Sequence, residues 1–421
     1  MANNKNMDAL LKWSIAQQGA DDAAAAANGQ PSMAAVASDI AAGRRPDLAD
    51  PGLFDAIMGK SEATMMREEL GAALDEKRTE QDRVTALDNF EMLIESIDNA
   101  NNIASMSLWP SIISLLSSTS ERIRAQTLWI LGTAVQNNDK AQIALLAQGP
   151  MPRLLELLGD ADDEVRGKAV YALSALLKHN PAAVVEFDTQ DGWKALKTSL
   201  EDPILTIRRK AAFLINTLLM QEAQTPNVEA ASAAASPVLP SAPLAAPNGA
   251  AKASTALTLV PGQSASTPPV TPASSAPLER GPATLAAGVS YPPIAPALLQ
   301  SGALTQLISS LLPAASEGAA KLAPLKDGSE ARADLDYSEK AARAIASWAD
   351  AVAARSAGRG ASGAVNAVTA ALLGRLTDEL EGPPLDAEHE ADVTARWQEV
   401  GLDAGEWEQL RERSANLAAE A

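Results

Sequence analysis

The chain has 421 residues, 34 basic and 53 acidic side chains for a net charge of −19, two histidines, seven Trp, three Tyr, four Phe and no cysteine. Thiol catalysis is excluded, and so acidic a chain, with no basic run of five, repels nucleic-acid phosphates and anionic lipid. Alanine inflates the 47% apolar content because it buries little area, so one folded unit with appendages is expected rather than two or three full domains.

In chain order, residues 1–45 read as a flexible amino-terminal segment with a short amphipathic helix. Its apolar cluster is Leu10, Leu11, Trp13 and Ile15, followed by an alanine-rich stretch with Gly29, Pro31 and Gly43. No 7–15-residue apolar block follows Met1, and no run of about 18 apolar residues occurs anywhere, so a soluble cytoplasmic protein is expected. Gly59-Lys60-Ser61 ends like a phosphate-cradling loop, but Phe54 stands where the first glycine is required, which argues against nucleotide binding. Residues 46–222 read as helical repeats. In the first, Val84, Leu87, Phe90, Leu93, Ile94 and Ile97 share an apolar face before Asp98-Asn99-Ala100-Asn101-Asn102.

Superposing Trp109, Met151 and Trp193 then reveals a period of 42 residues, in the armadillo/HEAT range. Ile123, Val165 and Ile207 coincide, as do Arg124, Arg166 and Arg208, and Trp129, Tyr171 and Phe213. Each unit reads as a leucine-rich helix, a polar turn and a longer helix, stopped by Asn137-Asn138 or His179-Asn180. Residues 223–296 carry 14 of the 26 prolines and four charged groups, a composition expected to stay disordered. Residues 297–376 read as a last repeat and following helix, with Ile345 and Trp348 in the long helix. Residues 377–421 form an acidic tail in which Leu402, Trp407 and Leu410 hint at a short helix. The fold class is therefore all-α: an armadillo-like right-handed superhelix of four to five repeats with disordered appendages.

Chemistry is sparse. His179 and His389 have no second ligand at metal spacing, and no nucleophile motif appears, so no enzyme, cofactor or metal is expected and a binding surface is. The series Phe90, Trp129, Tyr171, Phe213, with Trp348, either packs the core or lines the concave face, where aromatics dominate contact energy. One or two turns away lie Asn137, Lys168, His179 and Lys210. The arginine series either pairs with neighbouring acids such as Asp163 or meets a partner. Arg208, Arg209 and Lys210, the densest basic cluster, are expected to contact an acidic partner.

Several segments in order resemble the Fes/HspBP family of armadillo-type nucleotide-exchange factors for the heat-shock protein 70 chaperone, in its fungal cytosolic form. Met7 to Ala16 is similar to the family's amino-terminal signature. Asp50 to Gly59 and Met65-Met66-Arg67-Glu68 resemble the helical stretch after it, and Ile97 to Asn102, Leu108-Trp109 and Thr133 to Gln142 resemble the repeat junctions. The resemblance covers residues 7–221; the proline-rich insertion and acidic tail depart from it. It implies that the concave face binds the chaperone's nucleotide-binding domain and promotes ADP release; a monomer is expected. Partner contacts would come from Phe90, Asn99, Asn102, Trp129, Asn137, Arg166, Lys168, Tyr171, Arg208, Arg209, Lys210 and Phe213. The cluster Leu10, Leu11, Trp13 and Ile15 either mimics a client or docks as an ordinary helix. The other class considered is an armadillo adaptor for an extended peptide; it lacks the asparagine four positions after the aromatic, where Thr133, Ala175 and Thr217 stand.

Overall fold

The computed structural model describes residues 60–224, 289–313, 316, 319–320, 322–356, 365–381 and 401–419. The expectations for the amino-terminal cluster, the body of the insertion, His389 and the first part of the acidic tail lie outside the described residues. Among the described residues every regular element is a helix. The chain divides into two compact units, Met1–Ile130 and Leu131–Ala421.

The first unit opens with α1 (Glu62–Leu74) and α2 (Glu80–Ile94). Ser61, the third letter of the discarded phosphate-loop fragment, caps α1 by accepting the Thr64 N–H, and Thr79 caps α2 the same way from Asp82. The short helices α3 (Ile97–Ser105) and α4 (Trp109–Ser114) follow, then the long α5 (Glu121–Val135), within which the boundary between units falls.

The second unit repeats this short, short, long order. It runs α6 (Asp139–Leu146), α7 (Met151–Leu157), α8 (Asp163–Leu177), then α9 (Pro181–Thr189), α10 (Gly192–Leu200), α11 (Leu205–Gln224). The set α12 (Ile294–Ser301), α13 (Ala303–Leu311), α14 (Leu335–Ser356) comes next, then α15 (Ala367–Glu381) and α16 (Ala404–Ala419). Each repeat therefore holds three helices, the armadillo arrangement, where the sequence pattern had suggested two. The missing one is the short helix after the long one, in which Ala141, Gln142 and Leu145 are too few buried positions to show a period.

The repeat is written into the backbone. Ser107, Gly149 and Asp191 are left-handed between the first and second helices of successive repeats, and Gly302 does the same in the last. Asn137 and His179 are left-handed where a long helix ends, with φ of 53° and 58°. The residue after each, Asn138 or Asn180, accepts the backbone N–H three positions on and so caps the next helix, a contact worth about 1 kcal/mol.

The periodic arginines have one structural task. Arg124, Arg166 and Arg208 each donate to the carbonyl six residues upstream, on Ser118, Asp160 and Asp202, closing the turn into the long helix. Ser338 stands in the same place in α14 and donates to the carbonyl of Arg332, again six residues back. The repeat's inner positions also match: buried Ile207, Ala211, Ala212, Ile215, Leu218 and Leu219 of α11 correspond in spacing to buried Tyr337, Ala341, Ala342, Ile345, Trp348 and Ala349 of α14. Bulky side chains at these positions supply the hydrophobic stabilisation, about 1.5–3 kcal/mol for each one fully buried.

Candidate functional site

Burial registers the long helices and so decides which side chains share a place. Aligning the buried Val84, Ala86, Leu87, Phe90 and Ile94 of α2 with Ala125, Thr127, Leu128, Leu131 and Val135 of α5 sets Asp88, not Phe90, opposite Trp129. Phe90 has 0% exposure and is a core residue at the place of Leu131. Trp348 is likewise fully buried at the place of Leu218, with its indole N–H donated to the Ala295 carbonyl. The equivalent outward place is thus held by Asp88 and Trp129 in the first unit and by Tyr171, Phe213 and Arg343 in the second. Matching aromatic to aromatic hid this. The shared spacing of Ala211-Ala212 and Ala341-Ala342 was the signal that could have found it.

In the first unit Trp129 is 37% exposed and its ring is pinned by an indole N–H bond of 2.6 Å to Glu91 Oε1. Asn99 is buried, with its amide donating to Glu62 Oε2 and to the Leu93 carbonyl; it ties α1 to α3. Asn102 is exposed on α3, and its carbonyl accepts from Met106 N–H and Ser105 Oγ.

In the second unit the row is carried by α8 and α11. Tyr171 is half-buried. Its hydroxyl reaches Gln136 Oε1 at 3.3 Å, and its ring covers Gly132, where any Cβ would collide with it. Phe213, at the same place on α11, is 54% exposed, and Met220 two turns on is also exposed. One turn before each aromatic stand Lys168, half-buried, and Lys210, whose ammonium lies 3.4 Å from the Gly167 carbonyl next to Lys168. Burial lowers the Lys210 pKa, so its positive charge is incompletely solvated and favours an anionic neighbour. Two lysines and two aromatics are thereby brought onto adjacent helices.

The remaining expected contacts are placed elsewhere. Asn137 is an exposed turn residue held by its backbone conformation. Arg166 makes a bidentate bond to the buried Asp202 carboxylate, Nε to Oδ2 at 2.6 Å and Nη2 to Oδ1 at 3.1 Å, which raises its pKa; it fastens α8 to the turn before α11. Arg208, 1% exposed, donates to three carbonyls, those of Asp202, Glu201 and Ala323. Burial lowers its pKa. Arg209 pairs with Asp334 and Asp336, and its bond to Asp334 raises its pKa. Of the basic cluster only Lys210 points out. The reason is local: the arginine position faces the turn into the helix, and the next residue faces the segment before α14.

No helix among the described residues is long and apolar enough to cross a membrane, and no group of three or more His, Asp or Glu among them could hold a metal ion. Aromatic anchors on rigid helices beside lysines suit this surface to protein recognition.

Residues 7–103 match the family described as nucleotide exchange factor Fes1, and residues 99–237 the SIL1/FES1/HPBP1 C-terminal domain. The chain is 47% identical over 417 residues to "Hsp70 nucleotide exchange factor FES1" of Mycosarcoma maydis, covering 98% of this chain and 99% of that one. It is 41% identical over 138 residues to the protein of that name from Eremothecium gossypii, 32% of this chain and 42% of that one. Among solved structures, a designed armadillo repeat protein in complex with peptide (KR)4 aligns with a TM-score of 0.45 at 15% identity, over 81% of this chain and 100% of that one. With two consecutive family matches and a relative similar along nearly its whole length, the chain belongs to the Fes1 family of nucleotide exchange factors.

Proposed function

We propose that the chain is a nucleotide-exchange factor for a cytosolic heat-shock protein 70 chaperone, acting as a monomer. The row Tyr171 and Phe213, flanked by Lys168 and Lys210, binds the chaperone's nucleotide-binding domain and favours its open cleft, so that ADP leaves. The supporting observation is Phe213: a large aromatic more than half exposed on a helix whose opposite face is fully packed. Aromatic and basic side chains so placed supply contact energy, and the lysines steer an acidic partner surface. No bond is made or broken in exchange; the factor works by differential binding. A ~100-fold acceleration resting on equilibrium coupling needs about 2.7 kcal/mol of preference for the open state, and ADP must weaken the factor's binding by the same amount. Residues Leu10, Leu11, Trp13 and Ile15 serve in this reading as a client-like segment that aids client release.

The test is release of fluorescent ADP from the chaperone. Wild type accelerates it, and Phe213→Ala, with unchanged helicity and thermal midpoint, weakens binding of the nucleotide-binding domain by about tenfold, a cost of roughly 1.4 kcal/mol within the range of interface anchors. No acceleration at saturating wild-type protein removes the exchange-factor reading. Unchanged binding by Phe213→Ala removes the row from the interface.

A further inference from the structure

The row does not end at Phe213. In the register of buried positions Arg343 of α14 takes the place of Phe213, and Asp350 that of Met220. On α11 these places are bare and apolar. On α14 these places are charged, and the chain's own last described helix pairs with both while leaving them partly exposed. Arg343 donates through Nη1 to Glu406 Oε1 and through Nη2 to the Gly401 carbonyl at 2.9 Å, and Arg413 Nη1 pairs with Asp350 Oδ1 at 2.5 Å. The two stretches are joined, since Ser347 Oγ on α14 donates to Asn216 Oδ1 on α11 at 2.7 Å.

Helix α16 is built to lie there. Asp403 Oδ1 accepts the Glu406 N–H and Glu406 Oε2 accepts the Asp403 N–H, a reciprocal cap that leaves Glu406 Oε1 free to meet Arg343. Leu402, Leu410 and Leu417 are buried, and α16 packs on α15 more extensively than on α14. The polar clasps themselves are half-exposed ion pairs, which are individually weak and screened by salt.

We propose that α16 is an intramolecular occupant of the last place in the partner-facing row, and that a partner extending along the row competes with it. The inference rests on the exchange-factor reading for the identity of that partner. By population-shift arithmetic, a partner needing the whole row binds with an affinity reduced by the fraction of molecules in which α16 has left it. Acidic Glu406 on basic Arg343 then stands in for the acidic surface that Lys168 and Lys210 attract in the neighbouring repeats.

The absence of cysteine makes a clean test possible in the full chain. Asp350→Cys with Arg413→Cys, joined by a short bismaleimide, locks α16 in place. Glu406→Gln with Arg413→Ala loosens it while keeping the reciprocal cap. Each is titrated with the chaperone's isolated nucleotide-binding domain. The locked protein is expected to bind at least tenfold more weakly than the same double variant left unlinked, and the loosened protein about threefold more tightly than wild type. Equal affinities across locked, unlinked and loosened forms, or tighter binding by the locked form, overturn the competition and make α16 a fixed end cap. Failure of the wild type itself to bind is a different result and sinks the exchange-factor reading underneath.

Discussion

Replacing Arg208 with alanine separates the two tasks its cluster had been given. The guanidinium is enclosed and supplies the donors for the carbonyls of Asp202, Glu201 and Ala323. Its removal leaves three acceptors without that donor. A buried unsatisfied carbonyl costs about 1–3 kcal/mol, and those nearer the surface recover part of this from water. Relief of the desolvation that lowers the Arg208 pKa offsets some of the rest, so a net loss of about 2–4 kcal/mol is expected. Urea denaturation followed by helicity measures it as a fall in the midpoint at unchanged slope. Arg208→Met keeps the aliphatic stem and recovers about half of the loss, as expected where packing and hydrogen bonding share the site. Arg208→Ala within about 0.5 kcal/mol of wild type, the range of ordinary surface changes, would refute the structural role. Slow exchange in a triple alanine variant of Arg208, Arg209 and Lys210 then reports lost folding before it reports a lost contact, and Lys210→Ala alone is the informative substitution.

Gly132→Ala forces the Tyr171 ring off its seat; overpacking of this kind costs about 1–3 kcal/mol, less the gain of roughly 1 kcal/mol from replacing a helical glycine, and Tyr171 fluorescence and the urea midpoint both change. For Asp334, burial raises the pKa, but bonds from Arg209 and the Tyr337 N–H outweigh it and hold the group below 3.8. A depressed carboxylate contributes stability that is whole above its unfolded pKa and is lost as pH falls through the folded one. Asp334→Asn is therefore less stable than wild type at pH 6, by up to about 1 kcal/mol. The difference closes as pH falls through the depressed pKa of the folded carboxyl. A gap that persists at low pH shows that the charge is not its source.

The period of 42 was legible because the turn into each long helix is made by the same residue types: Arg124, Arg166 and Arg208 recur as letters and as hydrogen bonds. Asn138 and Asn180 were legible as stops and are also the caps of the next helix. Phe90 and Trp348 were misplaced because side-chain size carries no register. An aromatic sits equally well in the packed interior and on the outward row, and only the neighbouring buried positions tell which. The inward turn of Arg208 was hidden for another reason: its acceptors include the carbonyl of Ala323, on a segment more than a hundred residues away. The docking of α16 depends on pairs between Arg343 and Glu406 and between Arg413 and Asp350, which spacing along one helix cannot reveal.

The end of α11 has a consequence for how the later helices are fastened to the earlier ones. Where α5 and α8 stop at a left-handed residue, α11 runs on through Gln221 to Gln224. Gln221 Oε1 accepts from the Tyr291 hydroxyl and from the His179 N–H, while Glu222 receives the Ile294 N–H and pairs with Arg355. Departure and return are therefore moored to two successive residues. The helices on either side are held by these moorings and by the packing of α11 against α14, so two neighbouring side chains at the end of one helix act as the clasp that fixes where the chain rejoins the repeats.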